Sequence, residues 1–139
     1  MNLMLDTNII VDILSQREGY EDSLQIIKYC ELGKVEGFVS AITVTDVMYI
    51  LRKHIAPDSV REAVQTLLLV VDVANILKSD IVFAFMSEMK DYEDAVQSFC
   101  AERMKADFIV TRNLKDFNKS AVPAISPCEA VKIISEHVL

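Results

Sequence analysis

Glycine, proline and cysteine are scarce in this sequence, and tryptophan is absent. Three glycines and three prolines among 139 residues leave little material for linkers, so we expect a single domain over residues 1–139. The three cysteines, Cys30, Cys100 and Cys128, are odd in number and far apart, which supports neither a disulfide framework nor a zinc site. The longest apolar run, residues 67–71, is too short to cross a bilayer, and no basic leader indicates a signal peptide. These absences predict a soluble, cytoplasmic protein.

Apolar and acidic residues are what the chain has in quantity. Hydrophobic residues make up 52% of the sequence, enough to bury a sizeable core. The net charge is −7, which argues against a protein that grips nucleic acid by broad neutralisation of phosphates. Acidic residues gathered in one place would instead favour divalent cations or a basic partner.

Strand and helix patterns alternate along the chain. We predict strands at residues 3–5, 37–39, 70–73, 107–111 and 122–125, and helices at about 9–14, 23–32, 43–51, 60–69, 75–89, 92–104 and 127–136. Strands separated by helices pair in parallel, and helices then cover both faces of the sheet. We therefore predict an α/β fold, a three-layer α/β/α domain with a central parallel sheet.

Four acidic residues lie at comparable junctions between these elements: Asp6, Asp46, Asp94 and Asp116. Ligands of open α/β sheets bind beyond the carboxyl ends of the strands, and three of these acids follow the first, second and fourth strands. Asp94 can join them from the start of its helix. Clustered carboxylates repel one another, so such a group stays ionised only beside a cation, and oxygen ligands suit Mg²⁺ or Mn²⁺.

Each acid also has a purely structural interpretation. Asp6 can cap the helix that follows it, and Asp46 with Thr43 resembles a capping box. Asp94 favours the dipole of its helix from the first turn, and Asp116 can be an ordinary loop residue. Only the joint placement of the four favours a shared site.

Four segments in order resemble the PIN-domain family of metal-dependent ribonucleases, most closely the small toxins of the VapC type. The segments are Met4-Leu5-Asp6-Thr7-Asn8-Ile9-Ile10, Ser40-Ala41-Ile42-Thr43-Val44-Thr45-Asp46-Val47, Asp91-Tyr92-Glu93-Asp94-Ala95-Val96-Gln97 and Ala106-Asp107-Phe108-Ile109-Val110-Thr111-Arg112-Asn113-Leu114-Lys115-Asp116-Phe117. Singly each segment is weak evidence, but the four occur in the family's order, and the resemblance runs from about residue 2 to about residue 135. The resemblance implies a parallel sheet whose carboxyl edge carries an acidic groove.

The resemblance also implies roles for single residues. Asp6 and Asp94 match the central metal ligands, Asp46 stands where the family usually carries Glu, and Asp116 matches a fourth, more variable acid. Asn113 stands where some relatives have Asp, and Thr7, Asn8 and Thr111 match groups that orient carboxylates or phosphate. Asp91 and Glu93 flank Asp94, and Asp91 is the alternative ligand.

The function implied is a hydrolase that cleaves RNA with one or two Mg²⁺ or Mn²⁺ ions. Arg112, Lys115 and Lys119 are candidates to hold RNA phosphates, and Arg52, Lys53, Arg103 and Lys105 would extend that track; solvated surface charge is the other interpretation of each. A toxin of this type would form a homodimer and bind a small antitoxin. The alternatives are a housekeeping RNA-processing nuclease and a PIN-like module that binds RNA or protein without cleaving.

Two unrelated families also place an acid after the first strand. A receiver domain needs adjacent acids there, and a haloacid-dehalogenase-like phosphatase needs a second acid two residues later. This chain has Asn8 at that position, so both families are disfavoured.

Overall fold

The computed structural model describes residues 1–138, with the side chain of residue 138 left aside. Within that range the chain alternates strands and helices. The strands are β1 (Asn2–Leu5), β2 (Glu36–Ser40), β3 (Asp72–Ala74), β4 (Phe108–Val110) and β5 (Ala124–Ile125). The helices are α1 (Thr7–Ser15), α2 (Tyr20–Glu31), α3 (Ala41–Leu51), α4 (Pro57–Leu67), α5 (Lys78–Phe85), α6 (Tyr92–Arg103), α7 (Pro127–Val138) and a 3₁₀ helix (Leu114–Phe117).

The five strands form one parallel sheet in the order β3-β2-β1-β4-β5. The first strand therefore lies at the centre, with β2 on one side and β4 on the other. Parallel strands end at the same edge of a sheet, so the segments that follow β1, β2 and β4 lie side by side. This order brings the predicted acidic junctions together.

The side chains of the central strands alternate between two cores, as the pleat of a strand requires. Leu3 and Leu5 pack in the larger core with α1, α2, α3, α4 and α7, whereas Met4 packs in the smaller core with α6. Phe38 and Ile109 also belong to the smaller core. Helices thus cover both faces, and the predicted α/β/α layering is confirmed. Within residues 1–138 no helix is both long enough and apolar enough to cross a membrane.

Several predicted element bounds differ from the observed ones, and two of these differences have a clear local cause. The helix predicted at 75–89 spans only Lys78–Phe85, because the Asp80 carboxylate accepts the Leu77 backbone N–H and starts the helix there. The strand predicted at 70–73 begins at Asp72, because the backbone N–H groups of Val70 and Val71 donate to the Leu67 carbonyl and close the turn after α4.

Candidate active site

Asp6 lies at the carboxyl end of the central strand and caps α1. Its Oδ1 accepts the Thr7 backbone N–H at 2.8 Å, and its Oδ2 accepts the Thr111 hydroxyl at 2.8 Å and the Asn8 amide at 3.0 Å. Asp6 is only 5% exposed, and this burial raises the pKa of its carboxyl group. Hydrogen bonds from Thr111, Thr7 and Gln97 lower the pKa in part, and the charge of Asp116 raises it again. The capping and site interpretations of Asp6 are therefore compatible.

Gln97 is a buried partner of Asp6 to which the sequence analysis gave no role. Its Nε2 donates to Asp6 Oδ1 at 3.3 Å, and its Oε1 accepts hydroxyls of Ser40 at 3.3 Å and Thr43 at 3.2 Å. The Thr43 hydroxyl also bonds that of Thr7 at 2.9 Å, so Thr7 meets Asp6 only through its backbone. The available signal was spacing, because a residue three positions after Asp94 shares its helix face.

The N-cap and first turn of α6 together carry three acids with different surroundings. Asp91 caps the helix by accepting the Asp94 backbone N–H at 2.9 Å. Burial together with the charges of Asp6, Asp91 and Asp116 raises the pKa of Asp94 to about 7. Asp94 is thus the acid of this turn whose pKa is raised both by Asp6, which follows β1, and by Asp116, which follows β4.

The side chain of Glu93 interacts with that of Asp46. This hydrogen-bonding interaction, burial, and the charges of Asp46, Asp91 and Asp94 raise the pKa of Glu93 to about 8. The capping-box interpretation of Asp46 is wrong, because Ser40 is the residue that caps α3 and accepts the Thr43 N–H at 3.3 Å. Glu93, to which the resemblance assigns no role, lines the same groove as Asp94.

The segment after β4 brings the remaining predicted residues to the same edge. Thr111 is fully buried, donates to Asp6 and accepts the Asn113 backbone N–H at 3.0 Å. Asp116 lies on the 3₁₀ helix, and its charge raises the pKa values of Asp6 and Asp94. Asn113 and Asp116 both line the groove described below.

The basic candidates are distributed unevenly around this edge. Arg112 forms an ion pair with the buried Asp12, Nε to Oδ2 at 2.6 Å, and Lys115 is exposed beside Asp116. Lys119 pairs with Glu88 at 3.1 Å on the surface. Arg103, a candidate to extend the phosphate track, pairs with the buried Asp80 of α5 at 2.9 Å and lines a depression separate from the acidic groove.

The predicted acids line one open groove of about 470 Å³. Its walls contain the acids Asp6, Asp46, Asp91, Glu93, Asp94 and Asp116, together with the polar or basic residues Asn8, Gln97, Asn113 and Arg17. Within residues 1–138, no three His, Cys, Asp or Glu side chains stand close enough together to form a ready metal cluster. The donor set nevertheless fits a hard divalent cation, because it consists of carboxylate oxygens, and burial together with the charges of the neighbouring acids raises the pKa of Asp94.

Comparisons with known proteins agree with this architecture. A family model described as a PIN domain matches residues 2–115, whereas a search of the curated proteins finds no match. A chain of a toxin-antitoxin complex from Klebsiella pneumoniae is 27% identical, with 90% of this chain and 97% of that chain covered and a TM-score of 0.66.

Two more distant structures share the fold. A chain of VapBC2 from Rickettsia felis, in a crystal structure with a DNA fragment from the VapBC2 promoter, is 16% identical, with 91% of this chain and 98% of that chain covered and a TM-score of 0.70. VapC20 from Mycobacterium tuberculosis, a Sarcin-Ricin loop cleaving toxin, is 12% identical, with coverage of 77% and 86% and a TM-score of 0.61. The family match over most of the chain and the shared fold lead to one conclusion: the chain belongs to the PIN-domain family.

Proposed function

We propose that residues 1–139 act as one nuclease domain that hydrolyses RNA phosphodiester bonds with the help of a divalent cation. The single observation that carries the proposal is the groove at the carboxyl edge of the sheet, where acids from three other segments line the same groove as Asp6. Six acidic side chains in one groove would repel a polyanion unless a cation lay between them. The PIN-domain membership of the chain supports the same activity.

In this proposal Asp6 and Asp94 hold one or two Mg²⁺ or Mn²⁺ ions, with Asp46 and Asp116 completing the set. A bound divalent ion supplies an activated water for in-line attack and neutralises charge on the scissile phosphate. Thr111, Asn8 and Gln97 fix the orientation of Asp6 by donating hydrogen bonds to its two oxygens. The reaction needs no nucleophilic side chain.

Two isosteric variants of α6 test the assignment. Asp94→Asn should lower metal-dependent cleavage of a labelled single-stranded RNA by at least about a hundredfold, because even partners of metal ligands contribute roughly 10–100-fold. Asp91→Asn removes the same charge from the same helix turn but keeps a side chain that caps equally well. It should retain most of the cleavage; full activity in Asp94→Asn, or its loss in Asp91→Asn alone, would refute the choice of Asp94.

A non-cleaving role is the second candidate, and one observation favours it. Asp46 stands where the family resemblance leads us to expect the longer Glu, and its carboxyl is engaged with Glu93. A module of this kind would bind RNA or protein without hydrolysing it. Titration of Mg²⁺ and Mn²⁺ against labelled RNA separates the two, since binding without any cleavage at saturating metal would favour the module.

We also propose that the chain is a cytoplasmic toxin that forms a homodimer and binds a cognate antitoxin. The fold similarity to chains of toxin-antitoxin complexes supports this role, and the net charge of −7 suits a partner with basic side chains. Co-expression with a small protein encoded by the neighbouring gene is the test. Relief of growth inhibition and a stable complex would support the toxin role, whereas neither effect would favour a housekeeping nuclease.

A further inference from the structure

Asp12 is a buried acid that the proposed nuclease site does not use. It lies on α1 and is not one of the residues that line the acidic groove, and its side chain is only 3% exposed. Burial raises the pKa of its carboxyl group, and the charges of Arg112 and Arg17 lower it in part. A buried carboxylate of this kind is tolerated only where cations offset its desolvation.

Two arginines contact the two oxygens of this one carboxylate. Arg112 Nε lies 2.6 Å from Oδ2, and a terminal nitrogen of Arg17 lies 3.8 Å from Oδ1. Local backbone geometry places both of them. Gln16 adopts a left-handed conformation that ends α1, which lets the Arg17 N–H donate to the Asp12 carbonyl at 3.1 Å. The Arg112 N–H donates to the Asn8 side chain at 3.4 Å.

Asp12, Arg17 and Arg112 retain hydrogen-bonding groups that are free to bind a ligand. Asp12 Oδ1 accepts no hydrogen bond from the described part of the chain. The side chains of Arg17 and Arg112 remain 51% and 44% exposed, so water and ligands reach them. Ion pairing with one buried carboxylate holds both groups near each other while leaving donors available.

The position of the two arginines connects them to the groove. Arg17 is one of the residues that line the acidic groove. Arg112 lines an adjoining depression together with Asn113 and Asp116, and those two residues also line the groove. The two cations therefore stand at the border of a strongly anionic surface. An RNA strand that reaches the groove has to approach across this border.

We propose that Arg17 and Arg112 bind backbone phosphates of the RNA beside the groove, and that Asp12 is a positioning residue for both. The proposal rests on the nuclease function proposed above and names how the polyanion is held against the acidic wall. Guanidinium groups present paired donors that match phosphate oxygens, and a fixed arginine loses less side-chain entropy on binding. The competing explanation is an ion pair that only ties α1 to the loop after β4.

Binding of a chemically modified RNA probe distinguishes these explanations. The probe is a short fluorescein-labelled 2′-O-methyl RNA of mixed sequence, titrated with the full chain in Mn²⁺ at several salt concentrations; because 2′-O-methylation does not block attack by water, gel electrophoresis after each titration verifies that the probe is intact. Arg17→Gln and Arg112→Gln should each weaken binding roughly three- to tenfold and reduce the salt slope by about one. Arg61→Gln, an exposed arginine on α4 outside the groove, is the matched control and should change neither quantity.

The direction in which Asp12→Asn changes the RNA affinity distinguishes the two explanations. The substitution removes a negative charge, so a general charge effect would tighten binding, whereas loss of positioning should weaken it about threefold or more. The weakening should vanish when both arginines are already glutamine, because Asp12 acts through them. Tighter or unchanged binding in Asp12→Asn, with or without a lower melting temperature, would overturn the positioning role.

A second pair of variants keeps the test sharp if Asp12→Asn fails to fold. Arg17→Lys and Arg112→Lys retain the charge and the ion pair but lose the planar fork, and each should still weaken binding. Wild-type affinity in both lysine variants, or no binding of the probe by the wild-type chain at low salt, would overturn the phosphate-binding pair. Wild-type binding without metal-dependent cleavage of ordinary RNA would instead refute only the nuclease function.

Discussion

Glu93 and Asp94 are neighbours on the first turn of α6, yet they face different groups. The charges of Asp6 and Asp116 act on Asp94, whereas the Asp46 side chain on α3 acts on Glu93. Asp46 has one methylene fewer than the Glu expected from the resemblance. The longer side chain of Glu93 beside it provides a second carboxyl group at the same wall of the groove.

We expect Glu93→Gln to weaken Mn²⁺ binding roughly tenfold, because it removes an acid that can ionise when the cation binds. Asp46→Glu in the Glu93→Gln background should recover part of that loss by extending the other carboxylate. Calorimetric titration of Mn²⁺ measures both effects without requiring catalysis. The exposed Glu102→Gln on the same helix is the control, and equal affinity in it and in Glu93→Gln would contradict this role.

At the scale of elements, the contact between α2 and β2 sets the position of the strand that ends at Ser40. Gly37 is buried on β2, and a Cβ atom there would come within 2.7 Å of the Cys30 sulfur on α2. Burial also raises the pKa of the Cys30 thiol to about 11, so this cysteine is an unreactive packing group. The missing side chain at residue 37 is what allows helix and strand to approach.

Gly37→Ala should therefore reduce the free energy of unfolding by about 1–3 kcal/mol, because the added methyl group overpacks this contact. Cys30→Ala removes the opposing sulfur atom. In the double variant the loss should be smaller than the sum of the two single losses, since the space vacated accepts the new methyl group. Urea unfolding of the four proteins measures the cycle, and strictly additive losses would show that the clash is relieved elsewhere.

At the scale of the whole molecule, the acidic groove opposes folding near neutral pH. The carboxyl groups of Asp94 and Glu93 have pKa values of about 7 and about 8 in the folded chain, above their ordinary values near 4. Between the ordinary pKa near 4 and these raised values, the folded state binds more protons than the unfolded state. Its stability must then fall as the pH rises through that range.

We expect the melting temperature of the metal-free protein to fall by a few degrees between about pH 5 and about pH 8. A divalent cation that binds the folded groove should reverse much of the fall, and more so at the higher pH, because the cation competes with protons. Thermal melts with EDTA and with Mn²⁺ measure both curves. In Asp94→Asn the metal-free slope should be shallower; a wild-type slope in that variant would place the titrating groups elsewhere.

Local sequence patterns were sufficient to predict much of the fold of this protein. Alternating apolar runs and helical spacings predict parallel strands with helices on both faces, because burial of apolar side chains imposes those periods. An acid directly after a buried strand predicts a site at the sheet edge, and Asp6, Asp46 and Asp116 do lie at one edge. Element ends were less predictable, since capping at Asp80 depends on one side-chain hydrogen bond.

Sequence by itself therefore determined the fold class and the acidic edge, whereas tertiary structure decided which side chains meet there. The strand order puts β1 between β2 and β4, and that order is set by packing between distant segments. Only this arrangement joins Gln97 to Asp6 and Arg112 to Asp12. The physical reason is that a hydrogen bond or ion pair needs atoms within a few ångströms, and no periodic pattern along the chain encodes such a distance across the sheet.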